Sequence, residues 1–249
     1  MNIIQSSIRS CQERLVPLFK DIFSAPENSN KRSYINSYSD EKGMSKSALF
    51  MDKGESLEYK IFKTLNSIYG TGTKKILVDL LIDKNNGHST QIDLIFIHKT
   101  GIYVIESKNF SCTVSGNNTN NNWLKKYSNK EIHTFYNPIK QNNTHIHEIK
   151  RVLNINHSDY FTSLIVFSDN TIISHFNNTN DFNFNTKILN YNKLKTTLRE
   201  MIKIKNTLLS DDEIFNIYNE LSKYSRQSFE AKSQHIKYVK SLQDKQSKS

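Results

Sequence analysis

The chain has 249 residues, 36% of them hydrophobic, with a mean hydropathy of −0.61, and no apolar run approaches the roughly 20 residues a membrane-spanning helix needs. That length allows one main domain with appendages, and Cys11 and Cys112 lack the clustered spacing of a disulfide framework or a structural zinc site. A net charge of +10 favours a polyanionic partner, because Lys and Arg neutralise phosphates, although lysine is abundant along the whole chain.

The first predicted element is an amphipathic helix. Ile4, Ile8, Cys11, Leu15, Leu18 and Ile22 recur at spacings of four and three. That stripe calls for a cover, from the protein's own core, a second copy, a partner protein or a membrane surface. Pro17 breaks the apolar stretch Leu15 to Phe19 and no small-residue cleavage site follows, so a secretory signal is not expected and the cytoplasm is the expected location. From Ser24 to Met51 the chain turns polar and reads as a linker.

Gly54-Glu55 opens a second helix, with Leu57, Ile61, Leu65 and Ile68 on one stripe and an end near Gly70. Three β-branched or aromatic runs follow, Lys75 to Asp83, Thr90 to His98 and Gly101 to Lys108, and the turn signals between them predict an antiparallel meander. Shorter strands are expected around Cys112 to Ser115 and Ile132 to Tyr136, with the Asn-rich tract 117–122 as a loop. Asn137-Pro138 starts a third helix, as cap and first helical residue, running to about Leu153. Tyr160 to Ser168 is a buried strand, and helices are expected over Asn192 to Lys205 and, as a pair, across Asp211 to Lys245. This order predicts a mixed α/β domain with helices against a central sheet.

One constellation carries chemistry. If the turn between the second and third strands centres on Lys99-Thr100, paired residues sum to about 199, so Asp93 faces Glu106 and Gln91 faces Lys108, all on one side of the sheet. A centre at Thr100-Gly101 would set Asp93 opposite Lys108, and a three-residue loop would throw Asp93 to the other face. In the first register the two acids lie about 4.5–5.5 Å apart at Cβ, close enough to share a small divalent cation. Lys108, two residues beyond Glu106, projects beside them as a cation for a water or a phosphate. Such residues also occur as solvated ion pairs, but Ile92, Leu94, Ile95, Val104 and Ile105 make these interior strands, where charge is costly.

The chain here resembles the nuclease-related domain, NERD, a branch of the PD-(D/E)xK superfamily. The matching pieces are Gly54-Glu55, Gln91-Ile92-Asp93, Gly101 through Asn109, Gly116, Trp123, and Asn137-Pro138-Ile139-Lys140-Gln141-Asn142 leading to His145, over about Lys53 to Val152. After Ser111 the family continues with glycine, whereas Cys112 stands here. The resemblance implies a restriction-endonuclease-like core: a central mixed sheet with an antiparallel meander, flanked by helices, with N- and C-terminal helices added. It implies Asp93 and Glu106 as metal ligands, Lys108 as catalytic lysine, Glu55 as the helix-borne acid near the metal, and Gln141 as the amide that orients Lys108 or meets phosphate. Mg²⁺ or Mn²⁺ suits such a carboxylate-rich site. The expected domains are residues 1–50 as helix and linker, 51–205 as the nuclease domain and 206–249 as a helical extension.

Around that centre, Lys125, Lys126, Lys140 and His145 are candidate nucleic-acid contacts, His145 also as an exposed histidine of its helix. Trp123 with Tyr127 could stack on a base or pack in the core. The basic stretch Lys232 to Lys245 could follow a phosphate backbone or be solvated. The expected activity is metal-dependent hydrolysis of DNA, with RNA as the other substrate and a second copy or a partner protein on the N-terminal helix. The competing expectation is a non-catalytic module that binds nucleic acid or assembles a complex.

Overall fold

A computed structural model describes residues 53–85, 87–177 and 184–225, with side chains in the first helix from Leu57 onward and in the eighth strand up to Ser174. The expected N-terminal helix and linker, and the basic stretch Lys232 to Lys245, lie outside the described residues. The described chain is mixed α/β, with two mixed sheets and four helices. No described helix is long and apolar enough to cross a membrane.

Helix α1 (Lys53–Asn66) buries Leu57, Ile61 and Leu65 of the expected stripe, together with Phe62, but ends before Gly70, so that Ile68 is buried just beyond it. Its carboxyl end is closed by Lys74, whose Nζ donates to the carbonyls of Leu65 (3.0 Å), Asn66 (2.6 Å) and Ile68 (2.6 Å). A cation is well placed there, because the last carbonyls of a helix have no intrahelical donor and carry its negative pole.

Strands β1 (Lys74–Asp83), β2 (Ser89–His98) and β3 (Gly101–Lys108) form the expected meander. Next to β3, β7 (Phe161–Phe167) and β9 (Asn185–Asn190) complete a five-stranded sheet by parallel pairing, in the order β1-β2-β3-β7-β9. Every residue of β7 is buried, as its unbroken apolar run requires. The turn into β3 needs Gly101: its φ is +127°, and a Cβ there would stand 2.5 Å from the Tyr160 carbonyl oxygen.

A second sheet, in the order β6-β5-β4-β8, is built from β4 (Thr113–Asn117), β5 (Asn122–Lys126), β6 (Ile132–Tyr136) and β8 (Ile172–Asn177). Trp123 lies buried against Phe135 and Phe167, and a Cβ on Gly116 would meet its indole at 2.4 Å. Packing is therefore the role of Trp123.

Helix α2 (Pro138–Leu153) starts as expected, with Asn137 Oδ1 accepting from Ile139 N at 3.0 Å. Asn137 Nδ2 donates to the carbonyls of Asn117 and Asn120, so the helix start is tied to the loop before β5. Helices α3 (Tyr191–Ile204) and α4 (Asp211–Ser222) follow, α4 opening on a reciprocal cap between Ser210 and Glu213. One cluster joins α1 and α3 to Leu94, Phe96, Tyr103, Ile105, Leu164 and Val166. Alternation along β3 sends Val104, Glu106 and Lys108 to the opposite face, where α2 lies.

Candidate active site

The hairpin adopts the register with Lys99-Thr100 at its centre, from His98–Gly101 to Leu94–Ile105. There the ladder stops, one step before Asp93 and Glu106. Beyond that point β3 keeps its pairing with β7, out to Lys108–Phe167. The parting strands are joined by a side chain: Asp93 Oδ2 accepts from Ser107 N at 2.8 Å and from Ser107 Oγ at 2.9 Å. On the other flank Asp79 also drops out of the ladder, between Val78–Leu94 and Leu80–Ile92, with a φ of 55°. A non-glycine residue in that region within a strand is strained. Gln91 donates from Nε2 to Asp79 Oδ1 at 2.6 Å, so it braces this irregular step and does not meet Lys108, as a continuous ladder would have required.

Glu106 is buried, with 1% of its surface exposed, and both its oxygens are held. Oε1 accepts from Lys108 Nζ at 2.6 Å and Oε2 from His145 Nε2 at 3.0 Å. Lys108 Nζ also donates to Gln141 Oε1 at 3.1 Å. Gln141 and His145 stand four residues apart, on one face of α2, so a single helix reaches both ends of the Glu-Ser-Lys segment. Asn142 fixes that helix to the sheet, donating from Nδ2 to Val104 O and Ser163 Oγ, each at 2.9 Å.

The charges are unbalanced in a telling way. Burial, then the charges of Glu106 and Glu58, hold the Asp93 carboxyl well above the ordinary carboxylate range, against the pull of Lys108 and the Ser107 N–H. Burial would also raise Glu106, but Lys108 and His145 outweigh it and hold this carboxyl below its usual value. Lys108 is lowered by burial and raised more strongly by Glu106, Asp93 and Glu58, so it stays an ammonium. Three acids act on one lysine, an excess of negative charge that a divalent cation would relieve.

Among the described residues no group of three or more His, Cys, Asp or Glu side chains is placed to hold a metal. The arrangement fits a cation that needs few protein ligands. Asp93 has Oδ2 committed to Ser107 and Oδ1 available, and Glu106 Oε1 keeps a second lone pair. One or two carboxylates, with waters and substrate oxygens, is a usual shell for Mg²⁺.

The remaining candidates fall in different places. Glu55 stands in the first turn of α1, and its side chain lies outside the described residues. Glu58, three residues on and half-buried, is the acid of α1 whose charge reaches Asp93 and Lys108. Sequence reasoning passed over it, although spacing of three puts it on the same helix face as Glu55. His145 is not on the surface to meet a phosphate: it is 2% exposed and bonded to Glu106 and, through Nδ1, to Thr90 Oγ1 at 2.9 Å. Lys140 donates to Asn121 Oδ1 at 2.7 Å. The Lys125 ammonium lies over the rings of Phe110 and Phe135, and Lys126 is exposed.

Residues 53–168, a stretch that runs from α1 through β7, match the family model NERD, the nuclease-related domain. The matched segment is thus similar to a nuclease-related domain. NERD is nuclease-related, within the restriction-endonuclease-like superfamily. An uncharacterized protein of Bacillus anthracis is 25% identical over 187 residues, covering 75% of this chain and 84% of its own length. No solved structure matches. Inside the NERD segment lie Asp93, Glu106, Lys108 and Gln141, together with Ser107 and His145.

Proposed function

We propose that the chain is a metal-dependent nuclease that hydrolyses phosphodiester bonds, with DNA as its substrate, Mg²⁺ or Mn²⁺ as its cofactor and the cytoplasm as its location. The observation that carries this reading is the pairing of half-buried Asp93 with buried Glu106 at the unzipped end of a ladder, with Lys108 beside them. A structural role does not account for two acids and their partners at that place, since burying charge without need destabilises a sheet.

Asp93 and Glu106 would hold the cation, with Glu58 adding negative charge from α1. Bound there, the metal supplies an activated water and neutralises charge on the phosphate. Lys108, kept protonated by its acidic neighbours, offers N–H donors and positive charge to a phosphate oxygen and does not abstract a proton. Gln141 limits the rotation of that ammonium by accepting from it. The chain's net charge of +10 supports a polyanionic substrate.

The test is cleavage of supercoiled, linear and single-stranded DNA and of RNA, with Mg²⁺, Mn²⁺ or EDTA. Asp93→Ala and Lys108→Ala should each lower metal-dependent cleavage by about 100-fold or more, the scale set by removing a group that stabilises transition-state charge. Full activity in both folded variants would sink the proposal.

A further inference from the structure

Behind Glu106 lies a row of buried groups that takes no part in the chemistry above. Thr90 Oγ1, on β2, meets His145 Nδ1 at 2.9 Å, and His145 Nε2 meets Glu106 Oε2 at 3.0 Å. Thr90 is 5% exposed, His145 2% and Glu106 1%. A carboxylate oxygen only accepts, so the hydrogen of this second bond belongs to His145 Nε2. Thr90 can donate its hydroxyl hydrogen to Nδ1, which fixes the ring tautomer that presents Nε2–H.

The consequence for Glu106 is orientational. His145 turns Oε2 into the interior, which leaves Oε1 as the oxygen on the side of Lys108, whose side chain is 19% exposed. Asp93 is restricted in the same way, because Ser107 N and Oγ both occupy Oδ2. Each acid therefore presents one oxygen to the site. Small Mg²⁺ or Mn²⁺ in near-octahedral geometry accepts single carboxylate oxygens, whereas larger Ca²⁺ takes six to eight ligands and readily uses both oxygens of a carboxylate.

We propose that His145, set by Thr90, is a positioning residue that holds Glu106 as a one-oxygen ligand and thereby selects small divalent cations over Ca²⁺. This rests on the reading of Asp93 and Glu106 as cation ligands. It assigns no proton transfer to His145 and no contact with substrate.

Direct binding, without nucleic acid, tests it on the full chain: calorimetric titration with MnCl₂ and with CaCl₂ for the wild type, His145→Leu, His145→Gln and Asp93→Ala. Gln places an amide Nε2–H the same number of bonds from Cα as the histidine Nε2, so it can restore the bond to Glu106. His145→Leu should lower the ratio of Mn²⁺ to Ca²⁺ affinity by about 10-fold or more, the usual scale for an outer partner of a ligand, and His145→Gln should return most of it. An unchanged ratio in His145→Leu, with wild-type circular dichroism, overturns the role of His145. If Asp93→Ala still abolishes binding in that case, the cation site itself stands. A glutamine variant as poor as the leucine variant also overturns it, and a wild type that binds neither cation overturns both this inference and the reading beneath it.

Discussion

The two faces of the five-stranded sheet are held by different means. Against α1 and α3 the contacts are apolar, a cluster running from Leu57 through Ile105 to Met201 and Ile202. Against α2, buried Ile139, Ile146 and Ile149 are interleaved with Asn142, His145 and Gln141, which bond to named atoms of β3 and its neighbours. Apolar contact is non-directional and tolerates small shifts, while a hydrogen bond weakens steeply with angle. The α1 face is therefore held by non-directional packing, while the α2 face adds bonds that aim side chains.

The largest break of that contrast is on the α1 side. Ile61→Ala removes a side chain with no exposed surface and should cost about 2–5 kcal/mol of unfolding free energy, read by urea denaturation. Asn142→Ala, on the other face, should cost less, about 1–3 kcal/mol, because it strands Val104 O and Ser163 Oγ without their donor. Its effect on cleavage should exceed that of Ile61→Ala measured at equal folded fraction.

The smallest effect has the opposite sign. Asp93 has a raised carboxyl value when folded, so its neutral form is the compatible one: that stability is present below the ordinary carboxylate range and is lost as pH rises through the raised value. Asp93→Asn keeps an oxygen for Ser107 and never ionises. Without metal it should match the wild type near pH 4 and melt higher at neutral pH, by on the order of 2–4 °C, the shift that about 1 kcal/mol produces in a chain of this size. Equal melting at every pH would remove the electrostatic conflict assigned to this pair.

Legibility followed the range of the forces involved. The meander, the Asn137 cap and the buried β7 were readable because each depends on neighbours in sequence or on strict alternation, whereas the hairpin register stayed open among three turn placements until the structure set it at Lys99-Thr100. Strands β5, β8 and β9 were not, since their short, polar, Asn-rich segments are recruited by partners far along the chain, as Val114 recruits Ile173 and Leu164 recruits Lys187. At the site, Asp93, Glu106, Lys108 and Gln141 converge as the motif suggested. Their supporting cast was hidden. Burial of His145 depends on Thr90 and Glu106 from two strands, and Gln91 was diverted by a backbone reversal at Asp79 that no local pattern announces.

The bond from Ser107 to Asp93 has one more consequence. The amide hydrogen of Ser107 is sheltered by a carboxylate oxygen, not by the backbone of β2. Any ligand that draws Asp93 outward pulls on that shelter, so the exchange rate of a single backbone hydrogen becomes a gauge of loading at the site, readable in heavy water without substrate or turnover.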